Sequence, residues 1–318
     1  MLKSENIIII ASQPRSGSTL LQALLSNNGK VGTVSEPWLL LPFLGYQSEG
    51  VQNSVYNSKL ALIGINDFKS KIGEKEFEID LSNFLLSQYQ KILKGDEMYV
   101  LDKTPRYYEI LDEIVRYFPE AKIVILKRNP LAVLSSIIKT WNSKSLNSLL
   151  QYKRDLLNAP YMLHEFSEKQ KNNPNVFTIK YEDIVVNPEI NLSKLYLWLG
   201  LEYHSNVLNF SENYKFQGKM GDTTGVKLSS TPNIESLDKW RTIYDNNRFG
   251  SFARGYADFL GENFLKEYGE YHQEPKYGNT KLFNRYYEMS DWEFNEQHIP
   301  KLKLIKNAFL RKIGCIED

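Results

Sequence analysis

Within the loop Gln13-Pro14-Arg15-Ser16-Gly17-Ser18-Thr19, three hydroxyls, a guanidinium and a glycine stand side by side. That combination suits an anion. Arg15 brings a permanent positive charge, Ser16, Ser18 and Thr19 bring hydroxyl donors, and Gly17 lets the backbone approach closely. Four β-branched residues, Ile7 to Ile10, precede the loop, and Leu20, Leu21, Leu24 and Leu25 follow it at helical spacing. Strand, loop and helix in that order aim backbone N–H groups and a helix N-terminus at a phosphate or a sulfate. Ser16, Gly17, Ser18, Thr19 and Leu20 are therefore candidate binding residues together with Arg15. The loop is not a Walker A sequence, because no GxxxxGK[ST] string occurs.

A second pairing of cation and hydroxyl lies in KIVILKRNPLAVLSSIIKTW, residues 122–141. Arg128 ends a strand, Asn129-Pro130 turns the chain, and Ser136 falls two helical turns further on. Pro130 suits a first helical turn, where its missing N–H costs nothing. An arginine grips a phosphate with two parallel N–H bonds, and a serine hydroxyl adds a third. Between the two motifs stand Glu36, in Val34-Ser35-Glu36-Pro37, and Lys103, in Leu101-Asp102-Lys103-Thr104-Pro105-Arg106. Glu36 reads either as a proton acceptor or as a surface carboxylate or helix cap. Lys103 reads either as a cation for developing charge or as a solvated strand end. Asp102, Arg106, Glu182 and Asp183 read as an internal ion-pair network shaping the loops. Trp38, Phe43, Tyr46 and Tyr107 are candidates for an acceptor pocket, against the commoner core role of aromatics.

The elements that must carry these residues alternate. Strand patterns at 98–103, 122–128 and 176–181 follow the one at 7–10, and helical patterns fall at 81–93, 107–117, 131–141, 149–167 and 190–199. The alternation predicts an α/β fold, a central parallel sheet with helices on both faces, with ligands beyond the carboxyl ends of the strands. Residues 47–78 carry few signals and read as an insertion or a mobile cover. The chain reads as a single domain over 1–318, with 262–318 a C-terminal extension packed back on it.

PRSGSTLL resembles the 5′-phosphosulfate loop of the sulfotransferases that use 3′-phosphoadenosine-5′-phosphosulfate (PAPS). Arg128 with Ser136 resembles the 3′-phosphate motif of that family. Glu36 stands where the carbohydrate and tyrosylprotein sulfotransferases have a glutamate, and Lys103 where the tyrosylprotein enzymes have a lysine. Ile179-Lys180-Tyr181-Glu182-Asp183-Ile184 resembles the YED-type segment, and Ser236-Leu237-Asp238-Lys239-Trp240 a late Lys-Trp segment. The resemblance runs in order over 7–259. It implies the P-loop-like sulfotransferase fold and transfer of a sulfuryl group from PAPS, leaving PAP, to a hydroxyl of a carbohydrate, a tyrosine or a secondary metabolite. It implies Glu36 as general base, Arg15 and Lys103 as transition-state stabilisers, and Tyr181 and Lys239 as nucleotide contacts, with no metal. The chain departs from the cytosolic small-molecule enzymes, which carry a lysine in place of Arg15, a histidine base and a late RKG segment; it sits closer to the glutamate-base branch. Two other readings remain open: a P-loop-like kinase using ATP and Mg²⁺, which the missing Walker lysine and serine disfavour, and a nucleotide-binding protein without catalysis.

Composition narrows the partners. With 318 residues and a formal net charge of +1, there is no electrostatic case for bulk nucleic-acid or membrane-surface binding. The single cysteine, Cys315, excludes an intramolecular disulfide framework, and the four histidines are scattered without ligand spacing. The start does not read as a secretory signal, and no run approaches the roughly 18 apolar residues of a membrane span. A soluble cytoplasmic protein is expected, and its oligomeric state is not specified by pattern.

Overall fold

The computed structural model describes residues 2–47, 56–140, 146–209, 231–232, 234, 237–246, 249–268 and 280–289. Five strands, β1 (Ile7–Ser12), β2 (Val31–Thr33), β3 (Tyr99–Lys103), β4 (Lys122–Lys127) and β5 (Val176–Lys180), form one sheet in the order β2-β3-β1-β4-β5. All neighbours run parallel. β1 lies at the centre, and all six of its residues are buried.

Its side chains divide between two cores. Ile7, Ile9 and Ala11 join Val100, Ile123 and Ile125 under Leu85, Tyr89, Ile114 and Leu163. Ile8 and Ile10 join Leu101, Val124 and Leu126 under Leu21 and Leu24 of α1 (Ser18–Ser26) and Leu192 and Leu195 of the helix Pro188–Leu199. A strand covered on both faces needs apolar residues at every position, hence the unbroken isoleucine run. Each such side chain contributes about 1.5–3 kcal/mol on burial. A third cluster packs Leu131 and Leu134 of the helix Pro130–Thr140 against Phe252 and Tyr256 of the helix Gly250–Leu260, and against Phe283 and Tyr286 of the helix Lys281–Glu288.

Several boundaries differ from the sequence patterns. β2 escapes them because three residues on a sheet edge carry no periodicity. Residues 47–78 contain a helix, Ser58–Ile72, capped by the Asn57 side chain, which accepts the Leu60 N–H at 3.1 Å. Leu60, Ile63, Phe68 and Ile72 on that helix are exposed, so its apolar residues are not committed to the core. The pattern at 107–117 splits into a 3₁₀ turn, Pro105–Ile110, and a short helix, Leu111–Tyr117. The pattern at 149–167 becomes three helices, Leu146–Leu150, Lys153–Leu157 and Ala159–Lys169. Among the described residues, no helix is long and apolar enough to cross a membrane.

Candidate active site

The polar residues singled out above gather where β1, β3 and β4 end. β1 turns into α1 through a loop in which Arg15 (φ 73) and Gly17 (φ 88) both adopt left-handed backbone. Gly17 is the N-cap of α1. A Cβ on Gly17 would lie 2.3 Å from Cδ2 of the Tyr181 ring, so glycine is required twice over, by φ and by the ring. Gly17→Ala is expected to lower stability by more than the ~1–2 kcal/mol of a left-handed residue alone. Chemical denaturation measures it, and Tyr181→Ala in the same chain should return part of the loss. A loss no larger in Gly17→Ala than in Gly29→Ala, where φ is 78 and the space is open, would show that the ring does not constrain the loop.

The first four N–H groups of a helix have no partner within it. Here they belong to Gly17, Ser18, Thr19 and Leu20, since the Leu21 N–H is the first to bond along the helix, to the Gly17 carbonyl at 3.1 Å. The Leu20 side chain packs against the core beneath α1, leaving only its backbone to serve the loop. Ser16 Oγ is buried with no hydrogen-bond partner among the described residues. A buried hydroxyl left unpaired is costly, and a bound anion would satisfy it.

On the β4 flank, Arg128 Nη1 donates to the Arg15 carbonyl at 3.0 Å, and its guanidinium lies 4.1 Å over the Tyr181 ring. Arg15 in turn donates from Nε to Ser136 Oγ at 3.3 Å and from Nη2 to Thr140 Oγ1 at 3.1 Å. Arg15, Gly17, Arg128, Ser136 and Tyr181 thus form one assembly, although they come from four separate segments. Thr140 was missed; its spacing of one further helical turn beyond Ser136 was the available signal.

On the β3 flank, Lys103 pairs with Ile10 in register and is fully buried. Its Nζ donates to Glu36 Oε1 at 2.7 Å and to Thr19 Oγ1 at 3.3 Å. Glu36 is 13% exposed, so its carboxylate keeps an opening to solvent while the ammonium has none. A buried ammonium is tolerated only with such partners. The other carboxylate oxygen, Oε2, accepts the Trp38 indole N–H at 3.3 Å. A carboxylate, a cation and a helix N-terminus therefore meet at one point, which is an arrangement for moving a proton beside an anion.

Residues 7–205 match the model described as the sulfotransferase family. The chain belongs to the sulfotransferase family. It is 24% identical over 282 residues to nodulation protein NoeE of Sinorhizobium fredii, covering 83% of this chain and 65% of that protein. It is 24% identical over 289 residues to the protein-tyrosine sulfotransferase of Drosophila melanogaster, covering 86% of this chain and 53% of that one. The chain thus spans between about half and two thirds of the length of these curated relatives. Among solved structures it resembles in fold the sulfotransferase domain from the curacin biosynthetic pathway, with a TM-score of 0.50 and 22% identity over 74% of this chain and 90% of that one. The expected parallel α/β fold is the one observed.

Around this candidate site the remaining candidates take different places from those expected. Arg106 does not pair with Asp102. Its Nε and Nη2 hold Asp155 on the helix Lys153–Leu157, the latter at 2.7 Å, and the Tyr108 hydroxyl donates to the same carboxylate at 2.7 Å. Burial pushes the Asp155 carboxyl up against the opposing pull of Arg106. Gln13 Nε2 donates to the Asp155 carbonyl at 2.8 Å, tying this pair to the start of the loop. Asp102 instead accepts the hydroxyls of Tyr89, Thr104 and Tyr107, and burial pushes its carboxyl up to about 6. Glu182 Oε1 accepts the Asn129 N–H at 3.0 Å, fixing the turn after Arg128, and burial pushes it up as well; Asp183 is exposed. Of the four aromatics, Trp38 alone touches Glu36. Tyr107 is core, Phe43 pairs with Phe84, and burial pushes the Tyr46 hydroxyl up against the opposing pull of Tyr117 and Arg116 on another helix. Lys239 is exposed at the start of the 3₁₀ helix Lys239–Ile243, whose Trp240 and Ile243 pack against the helix carrying Ser136. Ser236 lies outside the described residues.

Proposed function

We propose that this chain transfers the sulfuryl group of PAPS to a hydroxyl acceptor. The observation that carries the reading is Lys103 Nζ held between Glu36 Oε1 at 2.7 Å and Thr19 Oγ1 at 3.3 Å, which sets a base against an anion loop. The donor set fits the co-substrate: Ser16 offers an unsatisfied buried hydroxyl, and Gly17 caps the N-terminus of α1, where the first N–H groups have no partner within the helix. Residues 16–20 would hold the 5′-phosphosulfate, and Arg128, Ser136, Tyr181 and Lys239 the 3′-phosphate side. PAPS, when bound, supplies the sulfuryl group and a phosphate leaving oxygen.

Glu36 takes the proton of the acceptor hydroxyl as that oxygen becomes the nucleophile. Lys103 and Arg15 hold positive charge on opposite flanks of the loop, since β3 and β4 flank β1. Such preorganised donors act where negative charge develops, and removal of one costs on the order of a hundredfold in rate. Trp38 stands beside the base and forms a wall of the acceptor space. The acceptor is a hydroxyl of a carbohydrate, a tyrosine or a secondary metabolite, and the tyrosine class is the one the protein-tyrosine sulfotransferase relatives name. A cytoplasmic setting is part of the same proposal.

The test is transfer of labelled sulfate from PAPS to a panel of these three acceptor classes. Transfer to one of them supports the reading, and label that stays on PAPS throughout overturns it. Nucleotide recognition has its own test. Arg128→Ala and Ser136→Ala are each expected to weaken PAP binding roughly tenfold or more, the worth of one charged hydrogen bond. Adenosine-5′-phosphosulfate, which lacks the 3′-phosphate, should lose much less by calorimetry. Equal losses for both ligands would show that these residues do not read that phosphate.

A further inference from the structure

β3 delivers two charged residues in succession, and they leave the sheet on opposite faces. Lys103 goes to Glu36. Asp102 goes into the core that holds Tyr89 and Tyr107, where it is fully buried. Its Oδ2 accepts the hydroxyls of Tyr89 at 2.6 Å and Tyr107 at 2.7 Å, and its Oδ1 accepts the Thr104 hydroxyl at 2.8 Å. Two of these hydroxyls work in both directions. Thr104 Oγ1 also accepts the backbone N–H of Trp38 at 3.3 Å, and the Tyr107 oxygen accepts that of Leu40 at 3.0 Å. A hydroxyl has a single proton, and when that proton is given to a carboxylate its lone pairs are left for a backbone donor.

We infer that Asp102 is the positioning residue for Glu36: through the Thr104 and Tyr107 hydroxyls it clamps residues 38–40 and so aims the carboxylate just upstream. The inference rests on the reading of Glu36 as the base. Trp38 shows why a clamp is needed. Its φ is 55, a left-handed conformation that a bulky residue keeps only where its surroundings over-determine it. Three contacts do so: its backbone N–H on Thr104, its indole N–H on Glu36, and its ring 5.5 Å from the Arg106 guanidinium. The carboxyl, pushed up to about 6 by burial, is ionised at neutral pH and can accept from all three hydroxyls at once. The amide of D102N cannot: its NH₂ meets at least one hydroxyl that was donating, and that proton must turn away.

The test is amide hydrogen exchange at single-residue resolution on the full chain, together with turnover. The Trp38 and Leu40 N–H groups should be protected in the native chain and exchange at least about tenfold faster in D102N. T104V should release Trp38 alone and Y107F should release Leu40 alone. Y89F, which removes the hydroxyl that reaches no backbone group, should release neither. D102N should also lower kcat on a neutral alcohol by on the order of a hundredfold, the scale of a small misplacement of a reacting group. It should lower kcat little on an acidic phenol that is already ionised, and add little in an E36Q background. Unchanged exchange at both amides overturns the clamp, as does a D102N loss that is equal for both acceptors and additive with E36Q. If D102N does not fold, the two single-hydroxyl variants decide the matter. If the native chain sulfates no acceptor, the reading of Glu36 falls, while the exchange pattern still decides the clamp.

Discussion

Glu36→Gln lowers turnover on a neutral alcohol acceptor by about a hundredfold or more, the usual share of general-base catalysis. The substitution keeps the size of the side chain and one hydrogen-bonding oxygen, which can stay on Lys103 Nζ, while the Trp38 indole N–H loses the oxygen it meets. What disappears is the proposed proton acceptor. PAP affinity should therefore stay within about threefold, because Glu36 touches the loop only through Lys103. The loss should shrink for a strongly acidic phenol, whose proton is already gone. Steady-state kinetics with the two acceptors, alongside calorimetry with PAP, separates these outcomes. Full turnover of E36Q on the alcohol would remove Glu36 from the mechanism.

Lys103→Met is expected to be at least as damaging, for a different reason. The ammonium is fully buried and bridges the base to the hydroxyl of Thr19. In the proposed mechanism its removal takes charge from the place where transition-state charge develops, worth on the order of 3 kcal/mol of barrier. It also leaves Glu36 without its ion-pair partner while only 13% exposed. Breaking such a pair from one side costs about 3–5 kcal/mol, and the residual exposure of Glu36 sets the low end. Activity and stability should then part company in the double variant. K103M/E36Q removes the stranded charge, so denaturation should show stability regained relative to K103M, while turnover stays at the floor. A double variant less stable than K103M would mean that the pair contributes nothing to the fold.

The candidate anion loop was legible because its parts are contiguous. A β-branched run, a turn carrying Arg15, Gly17 and three hydroxyls, and a leucine-spaced helix follow one another over 7–25, and local backbone preference suffices to build them. The same holds for Arg128, Pro130 and Ser136, which one strand end and one helix carry. The parallel sheet was legible from alternation, since a run such as Ile7 to Ile10 is stable only when covered on both faces. Residues 47–78 were not, because the helix Ser58–Ile72 leaves Leu60, Ile63, Phe68 and Ile72 exposed rather than committing them to the core.

Partnership was decided by the tertiary structure. Lys103 and Glu36 are far apart in the chain, and they meet because β3 pairs with β1 in the register that sets Lys103 beside Ile10, under the loop. Arg15 turns to Ser136 and Thr140 because β4 lies on its other side. Arg106 and Asp102, only a turn apart in sequence, are separated: Arg106 takes Asp155 from a distant helix, and Asp102 enters the core among hydroxyls. Tyr181 settles on Gly17 and makes that glycine irreplaceable, a constraint no local pattern contains. The physical reason is the same in each case. A residue's type says which partners it needs once buried, but strand order and register determine which partner arrives.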